Sequence, residues 1–452
     1  MLGTIKSISM AKSASDRWFI ALAGTAMQLC LGTVYAWSYF QKPLVEAYSW
    51  SNTQVAWTFS LAICCLGLAA AWGGLRLSRV GPRRLAMIGG VLFGVGHLVA
   101  ALALHWKLLT LLYLGYGVLG GFGLGLGYVT PVATVAKWFP DKKGLTTGMV
   151  IMGFGFGALL MSKLFAPLLY RASGGNLVTV FAWLGIGFLL SVVSLGAVLR
   201  NPPAGFSPVG ADVPPAGAAI VNAEVLPTDN HPVWPSVFSF RFTTMWLVFF
   251  ANILAGISLI SFQSPLFQDL WHSRDPGLSK DVLAAYGATL IAVSSLFNGV
   301  GRLLWGGVSD RIGRVCTFWI MLASQIVAFC VLTQVNNPWL FGGVICYILL
   351  CYGGGFGTMP SFVLDVFGSI QMPLVYGAIL TAWSAAGIVG PQLVAFINDH
   401  YAAQVAQYAF LCDVAVLSAG LVLASMLRDG RRSISNGKQV PAPTDPGSGT
   451  LT

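Results

Sequence analysis

Charge is what this sequence has least of. Of its 452 residues only 9% are Asp, Glu, Lys or Arg, and only 15 are acidic. A soluble domain carries roughly a quarter charged residues, so a water-soluble globular protein is excluded. Histidine is scarce as well, at 5. The eight cysteines (Cys30, Cys64, Cys65, Cys316, Cys330, Cys346, Cys351, Cys412) lie in or beside apolar runs. They show neither metal-ligand spacing nor a disulfide framework and read as small core residues. There is no GxxxxGK(S/T) phosphate loop, which removes an ATP-driven pump, and no enzyme signature or cofactor fingerprint. The glycine clusters at 120–127 and 353–357 fall inside apolar runs, not after a strand, and read as close helix packing. The opening MLGTIKSISMAKSASDR is short and polar, so no cleaved signal peptide is expected.

Apolar residues fill the space. They make up 56% of the chain, with a mean hydropathy of +0.76. A helix needs roughly 20 apolar residues to cross a bilayer. Twelve such stretches are centred near Leu29, Leu61, Phe93, Gly121, Gly155, Phe188, Leu254, Ser294, Leu322, Leu349, Gly387 and Leu417. The expected class is therefore an all-α polytopic membrane protein with the lipid bilayer as its surroundings. The net charge of +10 reports topology. Arg76, Arg79, Arg83, Arg84, Lys137, Lys142, Lys143, Arg311, Arg314, Arg428, Arg431 and Arg432 fall in alternate loops, and the opposite loops hold only Lys107, Arg171, Arg274 and Lys280. The positive-inside rule then puts both termini in the cytoplasm of a plasma (inner) membrane protein. Basic residues scattered in this way do not suit a nucleic acid.

One long Pro-, Gly- and Ala-rich interruption divides the chain. The expected parts are a cytoplasmic segment 1–17, a six-helix half 18–199, a linker 200–240, a second half 241–427 and a disordered tail 428–452. The halves repeat each other. Phe40-Gln41-Lys42-Pro43-Leu44 matches Phe262-Gln263-Ser264-Pro265-Leu266, and Arg79-Val80-Gly81 matches Arg311-Ile312-Gly313. Pro131 precedes Gly148 by the same 17 residues that separate Pro360 from Gly377. A parallel repeat of six helices is an arrangement of secondary transporters that hold their substrate between the halves.

GGLRLSRVGPRR (73–84) and GGVSDRIGR (306–314) resemble the paired loop signature of the major facilitator superfamily. The first copy has Ser78 where Asp310 stands in the second. The resemblance implies a charge-assisted gating lock through Arg79, Gly81, Arg83, Asp310, Arg311 and Arg314, weaker in the first half. GTVYAWSYFQKPL (32–44), KWFPDKKGLTTG (137–148), GFGFG (153–157) and LFNGVGRLLWGGVSDRIGR (296–314) resemble the oxalate/formate antiporter family, which groups with monocarboxylate carriers. This likeness spans nearly all of residues 18–427.

Arg302 lies nine residues before Arg311, roughly 13 Å deeper along a helix. A charge at that depth is a functional hypothesis by default; a purely structural pairing is the alternative. Its planar fork suits a carboxylate, and the resemblance makes it the arginine that binds the substrate carboxylate. Asn298 sits one turn before it. The second carboxylate-binding lysine of the oxalate carriers aligns with Trp383, so one buried cation and an indole suit an anion with a single carboxylate. By resemblance Tyr35, Tyr128, Phe154, Tyr352 and Phe356 form the remaining wall, although each aromatic taken alone reads equally as core packing. Lys42 is a candidate for attracting anions at the outer mouth. His97 and Asp413 are candidates for relaying protons, with structural roles as the alternative.

The sequence thus reads as a monomeric twelve-helix carrier of a small organic anion, a monocarboxylate such as lactate, pyruvate or formate. It would work by alternating access, driven by proton symport or anion exchange, with no cofactor or metal. The alternatives are an oxalate/formate or other dicarboxylate antiporter and a non-transporting anion sensor.

Overall fold

The computed structural model describes residues 2–139, 143–203, 206, 234–401 and 404–427. Twelve helices among them are long and apolar enough to cross a membrane. The first six are α1 (Asp16–Tyr48), α2 (Asn52–Val80), α3 (Pro82–His105), α4 (Leu109–Trp138), α5 (Thr146–Ala172) and α6 (Leu177–Val198). The second six are α7 (Phe240–Arg274), α8 (Lys280–Ile312), α9 (Arg314–Leu332), α10 (Pro338–Gly368), α11 (Leu374–His400) and α12 (Val405–Ser425). No strand occurs among the described residues. Most of the expected linker and the whole tail from 428, with Lys142 and the basic residues Arg428, Arg431 and Arg432, lie outside the described residues.

Local chemistry sets the helix ends. Ser51 caps α2 in a reciprocal box with Gln54, and Asn176, Ser239, Ser279 and Asn337 accept backbone N–H groups at other N-termini. The repeated loops end α2 and α8 on Gly81 (φ 83°) and Gly313 (φ 95°), left-handed positions where glycine carries no side-chain penalty. In the second copy Arg314 is buried and pairs with Asp310 at 2.7 Å and Asp365 at 3.0 Å, and it also bonds Ser309. In the first copy Arg79 and Arg83 are exposed, as is Ser78 in the place of the aspartate.

Three helix interiors depart from regular α geometry. Residues Thr33–Ala36 of α1 tighten into a 3-10 turn. Tyr113–Gly120 of α4 and Met161–Phe165 of α5 widen into π-turns, features that concentrate at functional positions.

Glycine lets the helices touch. A Cβ on Gly155 of α5 would run into Gly299 of α8 at 2.6 Å, and one on Gly387 of α11 would run into Ile63 of α2. These two pairs are seams between the six-helix halves. Polar contacts follow the same lines. Ser384 donates to the Cys64 carbonyl at 2.9 Å, and the Leu159 N–H donates to Ser295 at 3.2 Å. Toward the end of the bundle away from the arginine loops, Lys42 pairs with Asp269 at 2.5 Å and Lys280 with Glu46 at 3.5 Å. There Asp399 accepts the N–H groups of Asn52 and Thr53, at 3.0 and 2.8 Å, at the N-terminus of α2.

Candidate functional site

Arg302 stands about two thirds of the way along α8 and is 2% exposed. Its depth follows from helix continuity: α8 runs unbroken from Lys280 to Ile312, so a residue ten short of its end is carried well inside. α10 holds that stretch of α8 in place. A Cβ on Gly353 would overlap the carbonyl of Asn298, and one on Gly357 would overlap that of Arg302. Two glycines one turn apart therefore seat α10 on the backbone of the two residues with polar heads.

The guanidinium lies between two phenyl rings, its Cζ 4.8 Å from the centroid of Phe356 and 5.8 Å from that of Phe154. Such faces attract a cation. Its Nε donates a long bond, 3.5 Å, to Asn298 Oδ1. Neither Nη1 nor Nη2 meets hydrogen-bond geometry with a partner among the described residues, although the Tyr35 and Tyr128 hydroxyls lie close to the guanidinium. No carboxylate lies within ion-pair distance of Arg302 among them. A buried cation without a counter-charge is costly, by several kcal/mol in order of magnitude.

The structure brings all eight expected site residues together around this group. Tyr35 is carried by the 3-10 turn of α1, and its hydroxyl meets that of Tyr352 on α10 at 2.7 Å, a bond joining the two halves. Gly256 of α7 lets the Tyr352 ring lie flat against that helix, because a Cβ there would enter the ring. Trp383 of α11 is fully buried and touches four rings. Its centroid distances are 4.7 Å to Phe356, 5.4 Å to Tyr128, 6.0 Å to Phe154 and 6.4 Å to Tyr35. The contacts are edge-on or tilted, as ring quadrupoles prefer. Two more donors are orphaned inside this cage, the Tyr128 hydroxyl and the Trp383 Nε1. Buried polar groups are nearly always satisfied. Two Nη groups, a phenol and an indole N–H without partners in one aromatic enclosure make a concentrated exception. Their chemistry is that of a site for one small anion: donors, one positive charge, apolar walls.

The other expected residues lie elsewhere. Lys42 is tied to Asp269 at the rim, so its charge is spent in an ion pair. His97 is packed among Phe93, Tyr116, Phe181 and Phe188, with Nδ1 bonded to the Phe93 carbonyl at 2.9 Å. Asp413 is buried between α12 and α7, where Ser258 donates to its Oδ2 at 3.1 Å and Oδ1 has no partner among the described residues. Neither reaches the aromatic enclosure. Sequence reasoning missed Gln28, fully buried on α1, whose Nε2 donates to the Tyr128 carbonyl at 3.0 Å. It also missed Gln263, Ser294 and Ser295, which line a small cavity beside Asn298. Gln263 had one signal in the sequence, its place in the repeated Phe-Gln-x-Pro-Leu run.

Comparison with known proteins places this geometry. The family model described as the Major Facilitator Superfamily matches residues 18–391. The chain is 26% identical to the oxalate:formate antiporter of Oxalobacter formigenes, covering 85% of this chain and 86% of that protein. It is 28% identical to apicoplast pyruvate carrier 1 of Toxoplasma gondii, covering 85% of each. Among solved structures, a bacterial homolog of the human lysosomal transporter Spinster superposes with a TM-score of 0.65 at 15% identity, covering 94% of this chain and 99% of that one.

Proposed function

The chain belongs to the Major Facilitator Superfamily, and from that premise we propose that it is a secondary carrier of a small monocarboxylate, of the lactate, pyruvate or formate kind, working by alternating access. The observation that carries this reading is the pair of unpartnered Nη groups on Arg302 inside an aromatic cage. A carboxylate fits that fork bidentately. Tyr128 and Trp383 add donors, and Asn298 fixes the Arg302 Nε. With Trp383 in the wall and a single buried cation, a second carboxylate would be desolvated without compensation. The cage thus favours one carboxylate with an apolar end.

The absence of an ion-paired acid beside Arg302 among the described residues supports anion exchange as the driving mode. An empty carrier would have to move an uncompensated cation through its closed state, and a bound anion removes that barrier. Proton symport is the other mode, with the proton riding on the carboxylic acid itself. In this reading the arginine loops face the cytoplasm of a plasma-membrane carrier with both termini inside, acting as a monomer. The pairs Lys42–Asp269, Lys280–Glu46 and Asp399 with the α2 N-terminus then close its outer side.

Uptake of labelled lactate and oxalate into proteoliposomes tests the proposal, with a pH gradient imposed and then removed. Saturable lactate flux is expected. The likeness to the oxalate:formate antiporter favours the second reading, dicarboxylate exchange; saturable oxalate exchange without lactate flux would establish it. Binding without flux of either would mark an anion sensor.

A further inference from the structure

One turn along α8 from Asn298, away from the arginine loops, the small cavity lies against the cage. It measures about 10 Å³, room for a single oxygen of water size. Its polar lining is Tyr35 of α1, Gln263 of α7, and Ser294, Ser295 and Asn298 of α8. None of these is more than 4% exposed.

The amide and carbonyl acceptors in that lining are already engaged, and Ser294 Oγ keeps acceptor capacity. Ser294 Oγ shares its one hydrogen between Gln263 Oε1 at 2.7 Å and the Ile291 carbonyl at 3.1 Å, and Arg302 Nε donates to Asn298 Oδ1. Ser295 Oγ donates to the Gly155 carbonyl at 2.5 Å and accepts the Leu159 N–H. The Tyr35 hydroxyl is bonded to Tyr352. What remains are two amide NH2 groups, Gln263 Nε2 and Asn298 Nδ2, for which there is no hydrogen-bond partner among the described residues. Two neutral donors in a space for one atom recognise one neutral acceptor. A second carboxylate is too large and too strongly charged for them, and an ammonium finds no acceptor but Ser294 Oγ.

We infer that Gln263, oriented by Ser294, and Asn298 form a subsite for the oxygen on carbon 2 of the substrate, so that the carrier prefers 2-oxo monocarboxylates to unsubstituted ones. The inference rests on Arg302 holding the carboxylate, since Asn298 is shared by the two sites. A keto oxygen accepts from both amides without bringing a donor of its own. A 2-hydroxyl accepts as well, but its hydrogen finds only Ser294 Oγ with room to accept it, and must turn toward it at the expense of the amides. The order of affinity is 2-oxo, then 2-hydroxy, then unsubstituted.

The experiment is competition by pyruvate, lactate and propionate against labelled pyruvate uptake in proteoliposomes, for the wild type and for Gln263→Met, which keeps the side-chain length and deletes the amide. The pyruvate-to-propionate affinity ratio should fall about 10-fold in the variant, the order expected for one hydrogen bond in a buried site. Ser294→Ala leaves Gln263 in place but frees its amide to turn, and should lower the ratio part-way. It serves as the second variant should Gln263→Met fold poorly. Wild-type flux with an unchanged ratio in these variants, or with pyruvate and propionate handled alike by the wild type, overturns the subsite. No flux or binding of any of the three acids in the wild type overturns the carboxylate reading beneath it.

Discussion

Replacing Arg302 by Met separates the cost of a buried charge from its use. Met is shorter by two heavy atoms along the chain, but its flexible thioether reaches toward Phe154 and Phe356, where sulfur–aromatic contacts are favourable. In the ligand-free protein the two Nη groups have no partner among the described residues, so the substitution removes desolvation cost without breaking a bond. What is lost is the long Nε contact to Asn298, the cation–π contacts with Phe154 and Phe356, and the nearness of the Tyr35 and Tyr128 hydroxyls, each modest beside the cost of the buried charge. The variant should therefore melt no lower than the wild type in detergent without substrate. Substrate binding should behave in the opposite way. Truncating one partner of a fully desolvated charge pair costs about 2–5 kcal/mol, which is roughly thirtyfold to a few thousandfold in affinity. Arg302→Lys keeps the charge but loses the fork and should fall between the two. The assay pairs thermal melting, with and without saturating pyruvate, with labelled uptake in proteoliposomes. Wild-type protein should gain melting temperature on adding the anion and the Met variant should not. An unchanged transport affinity in Arg302→Met would refute the clamp. A marked loss of melting temperature in its ligand-free state would show that the arginine serves the fold.

Trp383→Lys would place a second cation against the same cage, and oxalate should then compete with monocarboxylate uptake where it did not before. Asp399→Ala removes the acceptor of two N–H groups at the start of α2; it should loosen the outer closure by about 1 kcal/mol, read as faster labelling of a cysteine introduced in the cage by an external membrane-impermeant thiol reagent. Asp269→Asn, at an exposed ion pair, should do less. Gly357→Ala should weaken substrate affinity at least tenfold without touching the anion, because its methyl would push α10 off the Arg302 carbonyl. Asp413→Asn should leave uptake and its pH dependence as they are, since among the described residues the carboxyl bonds only Ser258 and it lies outside the cage.

Much of this was legible in the sequence because membranes simplify the grammar. Each run of about 20 apolar residues became a helix, and an arginine in the middle of one had to face inward. Once Arg302 was fixed, the aromatic positions that match the antiporter family located the wall. What escaped were bonds between distant residues. Nothing local in Tyr35 announces that its hydroxyl meets Tyr352 across 317 positions. Asp399 reads as an ordinary helix-end acid until the N-terminus of α2 is set beside it. Lys42 looked like a free cation because Asp269, its partner, lies 227 residues away. Gln263 and Ser294 read as ordinary polar residues in apolar runs, because their meaning is the cavity they share and not a spacing.

The glycine contacts divide into two kinds with different mechanical meaning. Gly353 and Gly357 key α10 onto α8 within one half, meshing like teeth on a rack, so that in the proposed alternating-access cycle the half would turn as one block and carry Arg302 with it. Gly155 against Gly299, and Gly387 against Ile63, lie where one half meets the other. At Gly155 the two backbones meet directly, and at Gly387 the helix makes room for the Ile63 side chain, so in the proposed alternating-access cycle these seams would be the bearings on which one half moves over the other. On the proposed function, larger residues in the rack should change how tightly the anion is held, and larger residues in the bearings should change how many times per second it is delivered.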